Sequence, residues 1–359
     1  MFSLSLCMIV RDESGTIRRC LNSIKDIVDE IIIVDTGSLD NTKEICKEFT
    51  EKIYDFKWVD DFSNARNFSF SKSNCDYILW MDADEYFDEE NKIKLKNIKE
   101  NLSDNIDGIR FKTNTCVCCN NNLMCLGCRV RIIKKEKNYK WVGFVHEYIQ
   151  VCDNSKILDS PIYIIHDKKK HITDRNLLLY KKYIESGNKL SDRDLYYYGK
   201  ELHLNKYYED CILILNEYIS KDINIDEIIE SLCIIGKSYM HLNKLKTSRE
   251  YYFKCFEYTT PNPDIMYNIA ESFEIQKEFE KAIYWYEIIL KLQNENFRTC
   301  LNLNHFNFNI NLSLCVCNYE LGFINKSYFH HIKCKELYPD NKCVISNDEI
   351  FNKLINREG

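Results

Sequence analysis

The stretch Tyr77-Ile78-Leu79-Trp80-Met81-Asp82-Ala83-Asp84-Glu85 decides the fold prediction for the first half of the chain. Its apolar residues predict a buried strand, and this strand ends directly at two carboxylates one residue apart. Such an end can aim both carboxylates at a divalent cation that is held against phosphates. The alternative is an acidic turn that caps the following helix. The residues upstream favour the first interpretation.

Upstream of this stretch, short β-branched runs alternate with amphipathic helical patterns. The predicted elements are strands over 4–10, 30–35 and 52–55, with helices over 16–27 and 41–49. Alternation of this kind builds a parallel α/β sheet with helices on both faces. Ligands of such sheets bind beyond the carboxyl ends of the strands, which is where Asp12, Asp35 and Asp82 are expected.

The pattern changes to strands and turns between residues 106 and 165. Residues 108–112 and 129–133 alternate with a period of two, and the three asparagines at 120–122 between them are a turn signal. We interpret this segment as the hairpin-rich second half of the same domain. The predicted domains are therefore residues 1–172, α/β, and residues 173–359, all-α.

The second domain is helical and repetitive. Small residues recur at intervals of 37, 34 and 45 residues, and each is followed twelve residues later by another small residue. The pairs are Gly199 and Cys211, Gly236 and Ser248, Ala270 and Ala282, and Cys315 and Ser327. A period near 34 with small and aromatic residues at fixed offsets is typical of tetratricopeptide helix hairpins. Four such hairpins predict a stacked solenoid, with the extra residues of the last interval between 293 and 307.

Composition narrows the class of protein further. The net charge of -6 gives no general attraction for nucleic acid or anionic lipid. The first ten residues lack a basic leader and a cleavage site, and no apolar run is long enough to span a membrane. A cytosolic, reducing location is expected, and most of the 18 cysteines should be free thiols packed as small hydrophobic residues.

An ordered set of motifs carries a family resemblance. The motifs lie at residues 7–13, 30–40, 61–68 and 82–85, the last being Asp82-Ala83-Asp84-Glu85. Together they closely resemble glycosyltransferase family 2, in particular the branch with tetratricopeptide repeats, over roughly residues 1–170. The resemblance implies a GT-A fold, in which a Rossmann-like nucleotide half is continuous with an acceptor half. It also implies inverting transfer from a nucleotide sugar, assisted by Mn2+ or Mg2+.

The resemblance implies a role for individual residues of the nucleotide-sugar site. Asp35 would accept a hydrogen bond from the ring N–H of the base, and Asp82 would contact the ribose and the metal. Arg66 would lie near the base or the diphosphate, although a surface ion pair with Asp60 or Asp61 is the alternative. The remaining implied contacts are the loop residues Val10, Asp12 and Glu13 and, at the phosphates, Arg131.

The resemblance also implies the metal and the catalytic base. Asp84 would bind the metal directly together with Asp82, and His146 or His166 could complete the site. Glu147, after a strand of the acceptor half, is the best candidate to take the proton of the acceptor, because inverting single displacement needs such a base.

The chain departs from the family pattern at three places. Asp12 stands in place of the commoner asparagine, Leu39 in place of threonine, and no glycine follows His166. None of the three removes a carboxylate that the chemistry needs. The lysines at 168–170 could serve the diphosphate, but a solvated charge run is the preferred interpretation.

A cysteine-rich segment could be taken for a zinc site. Cys116 and Cys119 form one C-x2-C pair, and Cys125 and Cys128 form a second. Tetrahedral zinc uses such pairs, but the loop between them is short and alternate residues of a hairpin point apart. We therefore predict free thiols and no bound metal in this segment.

These observations predict an inverting glycosyltransferase with a UDP-sugar donor and a protein or peptide acceptor. The same chemistry on a surface polysaccharide or a lipid-linked acceptor is the alternative. A second alternative is a non-catalytic adaptor, in which a decayed transferase domain accompanies partner-binding repeats. Oligomerisation through the repeats stays open.

Overall fold

The computed structural model describes residues 2–116, 123–167, 174–221, 223–292 and 303–358. The chain divides into two compact units, Met1–Lys182 and Tyr183–Gly359. The predicted domain boundary at residues 172 and 173 lies outside the described residues, so it stays a prediction.

The first unit is built on one mixed sheet of eight strands. Its strands are β1 Leu4–Val10, β2 Glu30–Asp35, β3 Ile53–Asp55, β4 Tyr77–Trp80, β5 Glu85–Tyr86, β6 Gly108–Cys116, β7 Leu123–Lys134 and β10 Ile157–His166. A separate antiparallel pair is formed by β8 Lys140–Val142 and β9 Tyr148–Gln150. The helices are α1 Ile17–Ile24, α2 Thr42–Lys47, α3 Phe62–Ser71, α4 Glu89–Asn101 and α5 Arg175–Glu185.

The strand order is β3-β2-β1-β4-β7-β6-β10-β5. The first four strands are parallel and form the predicted Rossmann-like half. β7 then pairs antiparallel with both β4 and β6, so the hairpin-rich segment extends the same sheet. The two halves therefore form the continuous GT-A type of sheet, with the carboxyl ends of β1, β2 and β4 at one edge.

Apolar side chains cover both faces of the parallel half. Leu6 and Met8 of β1 pack into one core, whereas Cys7 packs into a second core on the opposite face. Burial on both faces explains why these strands are nearly continuous apolar runs rather than alternating ones. Cys7, Cys20, Cys46 and Cys75 are free and buried, as expected for thiols that act as small core residues.

The second unit consists of helix hairpins. Its helices are α6 Asp192–Leu204, α7 Tyr208–Ile219, α8 Ile225–His241, α9 Leu245–Lys254, α10 Pro263–Ile275, α11 Phe279–Leu292, α12 Leu303–Glu320, α13 Ile324–Leu337 and α14 Lys342–Glu358. The predicted pairing of small residues falls on α6 with α7, α8 with α9, α10 with α11, and α12 with α13. The prediction of a tetratricopeptide solenoid is confirmed. Most of the segment expected to hold the extra residues, 293–302, lies outside the described residues.

Two of the small positions are glycines because the paired helices approach closely. A Cβ atom on Gly199 would lie 2.3 Å from Cδ2 of Leu215. A Cβ atom on Gly236 would lie 2.7 Å from Cε1 of Tyr252, whose side chain is fully buried. A larger residue at either position would force the buried partner to move.

Candidate active site

Asp35, at the end of β2, has a buried carboxylate of which one oxygen is hydrogen-bonded. Oδ1 of Asp35 accepts hydrogen bonds from the backbone N–H groups of Gly37 and Ser38, both at 2.9 Å. Gly37 has a φ of 104°, a conformation that favours glycine. Oδ2 of Asp35 is buried and has no hydrogen-bond partner among the described residues. Because an unpaired buried acceptor is costly, this oxygen is suited to a ligand N–H group.

The loop after β1 is tied to the loop after β2. Asp12 has a φ of 53°, and its Oδ1 accepts a hydrogen bond from the backbone N–H of Leu39 at 2.7 Å. The backbone N–H of Glu13 donates to the hydroxyl of Thr42 at 2.7 Å. Val10 is in register with Asp35 on the neighbouring strand. Because the hydrogen bond from Leu39 to Asp12 comes from its backbone N–H, the departure from threonine at position 39 leaves this contact intact.

The turn that carries Asp82 rests on a buried ion pair. The backbone N–H of Asp82 donates to Oε2 of Glu85 at 2.9 Å. Both terminal nitrogens of Arg131 donate to Glu85, at 2.8 and 2.6 Å, and the two side chains are 1% and 2% exposed. The Arg131 guanidinium lies 3.8 Å from the ring centroid of Trp80. This geometry corrects the implied phosphate contact of Arg131, because its charged end is buried against Glu85.

Arg66 joins two carboxylates at the centre of the site. Its Nη2 donates to Oδ1 of Asp82 and its Nε donates to Oε1 of Glu147, both at 2.7 Å. The guanidinium lies 4.9 Å from the ring centroid of Trp80 and 4.7 Å from that of Trp141. The structure thus brings Asp82 and Glu147 together, although 65 residues separate them in the sequence.

The opposite charges of Arg66 and of its carboxylate partners Asp82 and Glu147 stabilise one another. Burial opposes ionisation of Asp82, but the Arg66 and Arg131 charges hold the pKa of its carboxyl well below the usual range. Burial likewise opposes the charge of Arg66, yet Asp82 and Glu147 raise its pKa. The surface ion pair considered for Arg66 is not observed. Its suggested partners bind elsewhere: Asp60 to Lys182, and Asp61 to the first turn of α3.

A short antiparallel pairing brings His166 to Asp84. Glu85 of β5 lies opposite His166 of β10, and the backbone N–H of Asp167 donates to the carbonyl of Asp84 at 3.0 Å. Nε2 of His166 is 3.0 Å from Oδ2 of Asp84. The hydrogen bond to Asp84 raises the pKa of His166, against the effect of burial. Of the two histidines considered as metal ligands, His166 is therefore in contact with a candidate carboxylate.

The donor groups at this edge fit a hard divalent cation. Asp82 and Asp84 have carboxylate oxygens that could bind such a cation, whereas Nε2 of His166 is hydrogen-bonded to Asp84. Among the residues that the structure describes, no group of three or more His, Cys, Asp or Glu side chains is arranged as a complete metal site. This is compatible with Mg2+ or Mn2+, which commonly use one or two carboxylates and take further ligands from substrate phosphates and water.

Helix α3 holds the strand pair that carries Glu147. The side-chain amide of Asn67 donates to the carbonyl of Trp141 and accepts from its N–H, both at 2.9 Å. The backbone N–H of Phe62 donates to the carbonyl of Phe144 at 3.0 Å. His146, with a φ of 50°, lies on the turn between β8 and β9. Glu147 is therefore fixed from the same helix that carries Arg66.

No role is predicted from the sequence for Asn67, Trp80 or Trp141. Asn67 stands beside Arg66 within the motif at residues 61–68, and this adjacency on one helix was the available signal. No local pattern indicated that both tryptophans pack against Arg66. The lysines at 168–170 and Cys119 lie outside the described residues, as do the side chains of Cys116 and Cys125. Cys128 is free and exposed.

The chain is similar to several known proteins. Residues 5–117 match the model of glycosyl transferase family 2. The chain is 29% identical to the SPbeta prophage-derived glycosyltransferase SunS of Bacillus subtilis over 232 residues, covering 60% of this chain and 52% of SunS. It is 52% identical to a TPR repeat-containing protein of Synechococcus elongatus over 85 residues, covering 24% of this chain and 21% of that protein. The similarity to glycosyl transferase family 2 therefore lies in the N-terminal unit.

The matched proteins are longer than the matched regions. The chain spans about half the length of SunS and about a fifth of the Synechococcus protein. A solved structure of PilF from Pseudomonas aeruginosa aligns with 49% of this chain and 80% of its own, at 14% identity and a TM-score of 0.36. In the part of the chain that the structure describes, no helix has the length and apolar character needed to cross a membrane.

Proposed function

We propose that this protein is an inverting glycosyltransferase that uses a UDP-sugar as its donor. The observation that carries the proposal is Oδ2 of Asp35, a buried acceptor without a partner among the described residues. It lies at the carboxyl end of the sheet, where nucleotides bind in open α/β folds. Uracil has a ring N–H that can donate to this oxygen, whereas cytosine has none. The family 2 domain supports the same class of donor.

The chain supplies the remaining groups for a single displacement. Asp82 and Asp84 would hold Mn2+ or Mg2+, which stabilises the negative charge that the departing UDP gains. Glu147 takes the proton of the acceptor hydroxyl as the new bond forms at the anomeric carbon and the bond to UDP breaks. Because Arg66 occupies Oε1 of Glu147, we assign the proton to Oε2.

Replacing Asp35 with asparagine should weaken UDP binding by about 10- to 100-fold, because a hydrogen bond to a charged group contributes roughly 1.5–3 kcal/mol. Isothermal titration of UDP and CDP into both proteins measures the change. Wild type should prefer UDP, and the variant should lose this preference because an amide can also donate to the ring nitrogen of cytosine. Equal affinity of wild type for both nucleotides would contradict the placement of the base at Asp35.

The acceptor is proposed to be a polypeptide. Each second helix of the four repeats exposes a large apolar side chain: Leu213, Phe253, Tyr284 and Phe329 are 69%, 42%, 62% and 57% exposed. Stacked helix hairpins present extended surfaces that bind other macromolecules, and these side chains are available on that array. Carbohydrate or lipid-linked acceptors remain the alternative, with the same chemistry at the transferase site.

Changing Leu213 and Tyr284 together to serine should raise the acceptor KM by about 10-fold or more, since two apolar contacts contribute roughly 1.5–3 kcal/mol in total. Hydrolysis of the UDP-sugar in the absence of acceptor should not change. The measurement is transfer of radiolabelled sugar to polypeptide, polysaccharide and lipid-linked fractions. Labelling confined to the polysaccharide or lipid fraction would overturn the polypeptide proposal.

The adaptor alternative predicts that the transferase residues have decayed. Asp35, Asp82, Asp84 and Glu147 are all present, and two of them are joined through Arg66. The geometry therefore favours the enzyme. A cytosolic location stays part of this proposal.

A further inference from the structure

We propose that Arg66 is a positioning residue that fixes the donor-side carboxylate Asp82 relative to the acceptor-side carboxylate Glu147. The inference rests on the proposed function and deepens it. Asp82 follows β4 in the nucleotide half of the sheet, whereas Glu147 lies at the turn between β8 and β9. Within the described residues, these two carboxylates form ion pairs with Arg66.

The surroundings of Arg66 suit a fixed support better than a substrate contact. Its side chain is 8% exposed, and its guanidinium packs against the rings of both Trp80 and Trp141, which contact each other edge to face. A planar guanidinium presents donors in a rigid fork and stacks on aromatic faces, so its orientation is set before any ligand arrives. Nε donates to Glu147 and Nη2 donates to Asp82, so both donors on this edge of the guanidinium are already bound to carboxylates.

The same helix also fixes the backbone next to Glu147. Asn67 follows Arg66 on α3 and binds both backbone groups of Trp141. The first residue of α3, Phe62, binds the carbonyl of Phe144. Helix α3 thus holds the backbone of the β8–β9 pair through Asn67, and it holds the side chain of Glu147 through Arg66. A catalytic group held in this way keeps its orientation between turnovers, which is the requirement for efficient proton transfer.

Removal of Arg66 should therefore separate chemistry from donor binding. Asp35, which we assign to the nucleotide base, has no described contact with Arg66, and the turn that carries Asp82 would still be held by Glu85. Glu147 would lose the hydrogen bond that orients Oε2 toward the acceptor. We expect kcat for transfer to fall, with a much smaller change in the dissociation constant of UDP.

The test uses the full chain with Arg66→Lys and Arg66→Ala, and Arg18→Ala as the control. Arg18 lies on α1 in an exposed pair with Glu48, so its loss should leave activity unchanged. We expect kcat to fall about 100-fold for Arg66→Ala and about 10-fold or more for Arg66→Lys, since a lysine cannot form the same fork. UDP affinity should change by less than about 3-fold. Added methylguanidine should restore part of the activity of Arg66→Ala, but none of that of Glu147→Gln.

Each outcome separates the inference from the proposed function. A wild-type protein that turns over no UDP-sugar would overturn the proposed function, and with it this inference. An active wild type with unchanged kcat in both variants would overturn the inference alone. So would a loss of UDP affinity with normal kcat, which would make Arg66 a donor contact. A loss of kcat that methylguanidine does not restore would assign Arg66 to packing instead. If Arg66→Ala fails to fold, the affinity and kcat of Arg66→Lys decide.

Discussion

Replacing Glu147 with glutamine should slow sugar transfer by about 100-fold or more while UDP-sugar affinity holds, because the change removes a general base and keeps the shape of the side chain. Arg66 can still donate to the amide oxygen of glutamine, so the hydrogen bond from Nε can persist. The loss should therefore appear in kcat. The measurement is steady-state transfer together with titration of UDP into both proteins.

Glu136→Gln is the matched control, because Glu136 pairs with Lys134 at the surface and should have no effect on transfer. If the acceptor were a thiol, which is already partly ionised, the effect of Glu147→Gln should be much smaller. Weakened UDP binding with near-normal turnover would show that Glu147 is a donor ligand. The base would then have to be sought at His146 or Asp167.

Replacing Asp84 with asparagine should reduce turnover by at least about 100-fold, on the order of 3 kcal/mol of transition-state stabilisation. The carboxylate charge that would hold a divalent cation against the diphosphate is lost, while the size of the side chain is kept. Electron paramagnetic resonance of Mn2+ gives a readout that does not depend on activity. Binding of Mn2+ should weaken together with turnover.

Asp88→Asn is the control for this experiment. Asp88 caps the start of α4 by accepting from the backbone N–H of Asn91, and asparagine is an equally good cap. Activity and Mn2+ binding of this variant should match those of wild type. Unchanged turnover in Asp84→Asn, or full activity of wild type in excess chelator, would contradict the metal assignment.

The parallel half of the fold could be predicted because its information is local. The observed strands Leu4–Val10 and Glu30–Asp35 match the predicted ranges, since each is an apolar run that ends at polar residues. The helix predicted over 16–27 ends earlier, at Ile24, because the backbone N–H of Ile27 turns back to the carbonyl of Ile24. Helix ends depend on such turns more than on periodicity.

The centre of the site depends on pairings that local patterns do not contain. β7 inserts between β4 and β6, which places Arg131 beside Glu85 rather than at the open edge. His166 reaches Asp84 only because β10 pairs with the two-residue strand β5. Arg66 and Glu147 could each be predicted from the sequence as a site residue, but their contact requires α3 and the β8–β9 pair to be placed together. Side-chain partners across such distances follow from tertiary packing.

A crystal structure of the full chain grown with UDP and Mn2+ tests the central claim most directly. We predict the uracil ring N–H within hydrogen-bond distance of Oδ2 of Asp35 and the metal bound by Asp84, between the protein and the diphosphate. Arg66 should remain packed against Trp80 and Trp141, in contact with both carboxylates. A nucleotide bound away from Asp35, or crystals in which saturating UDP and Mn2+ leave this edge of the sheet empty, would contradict the account.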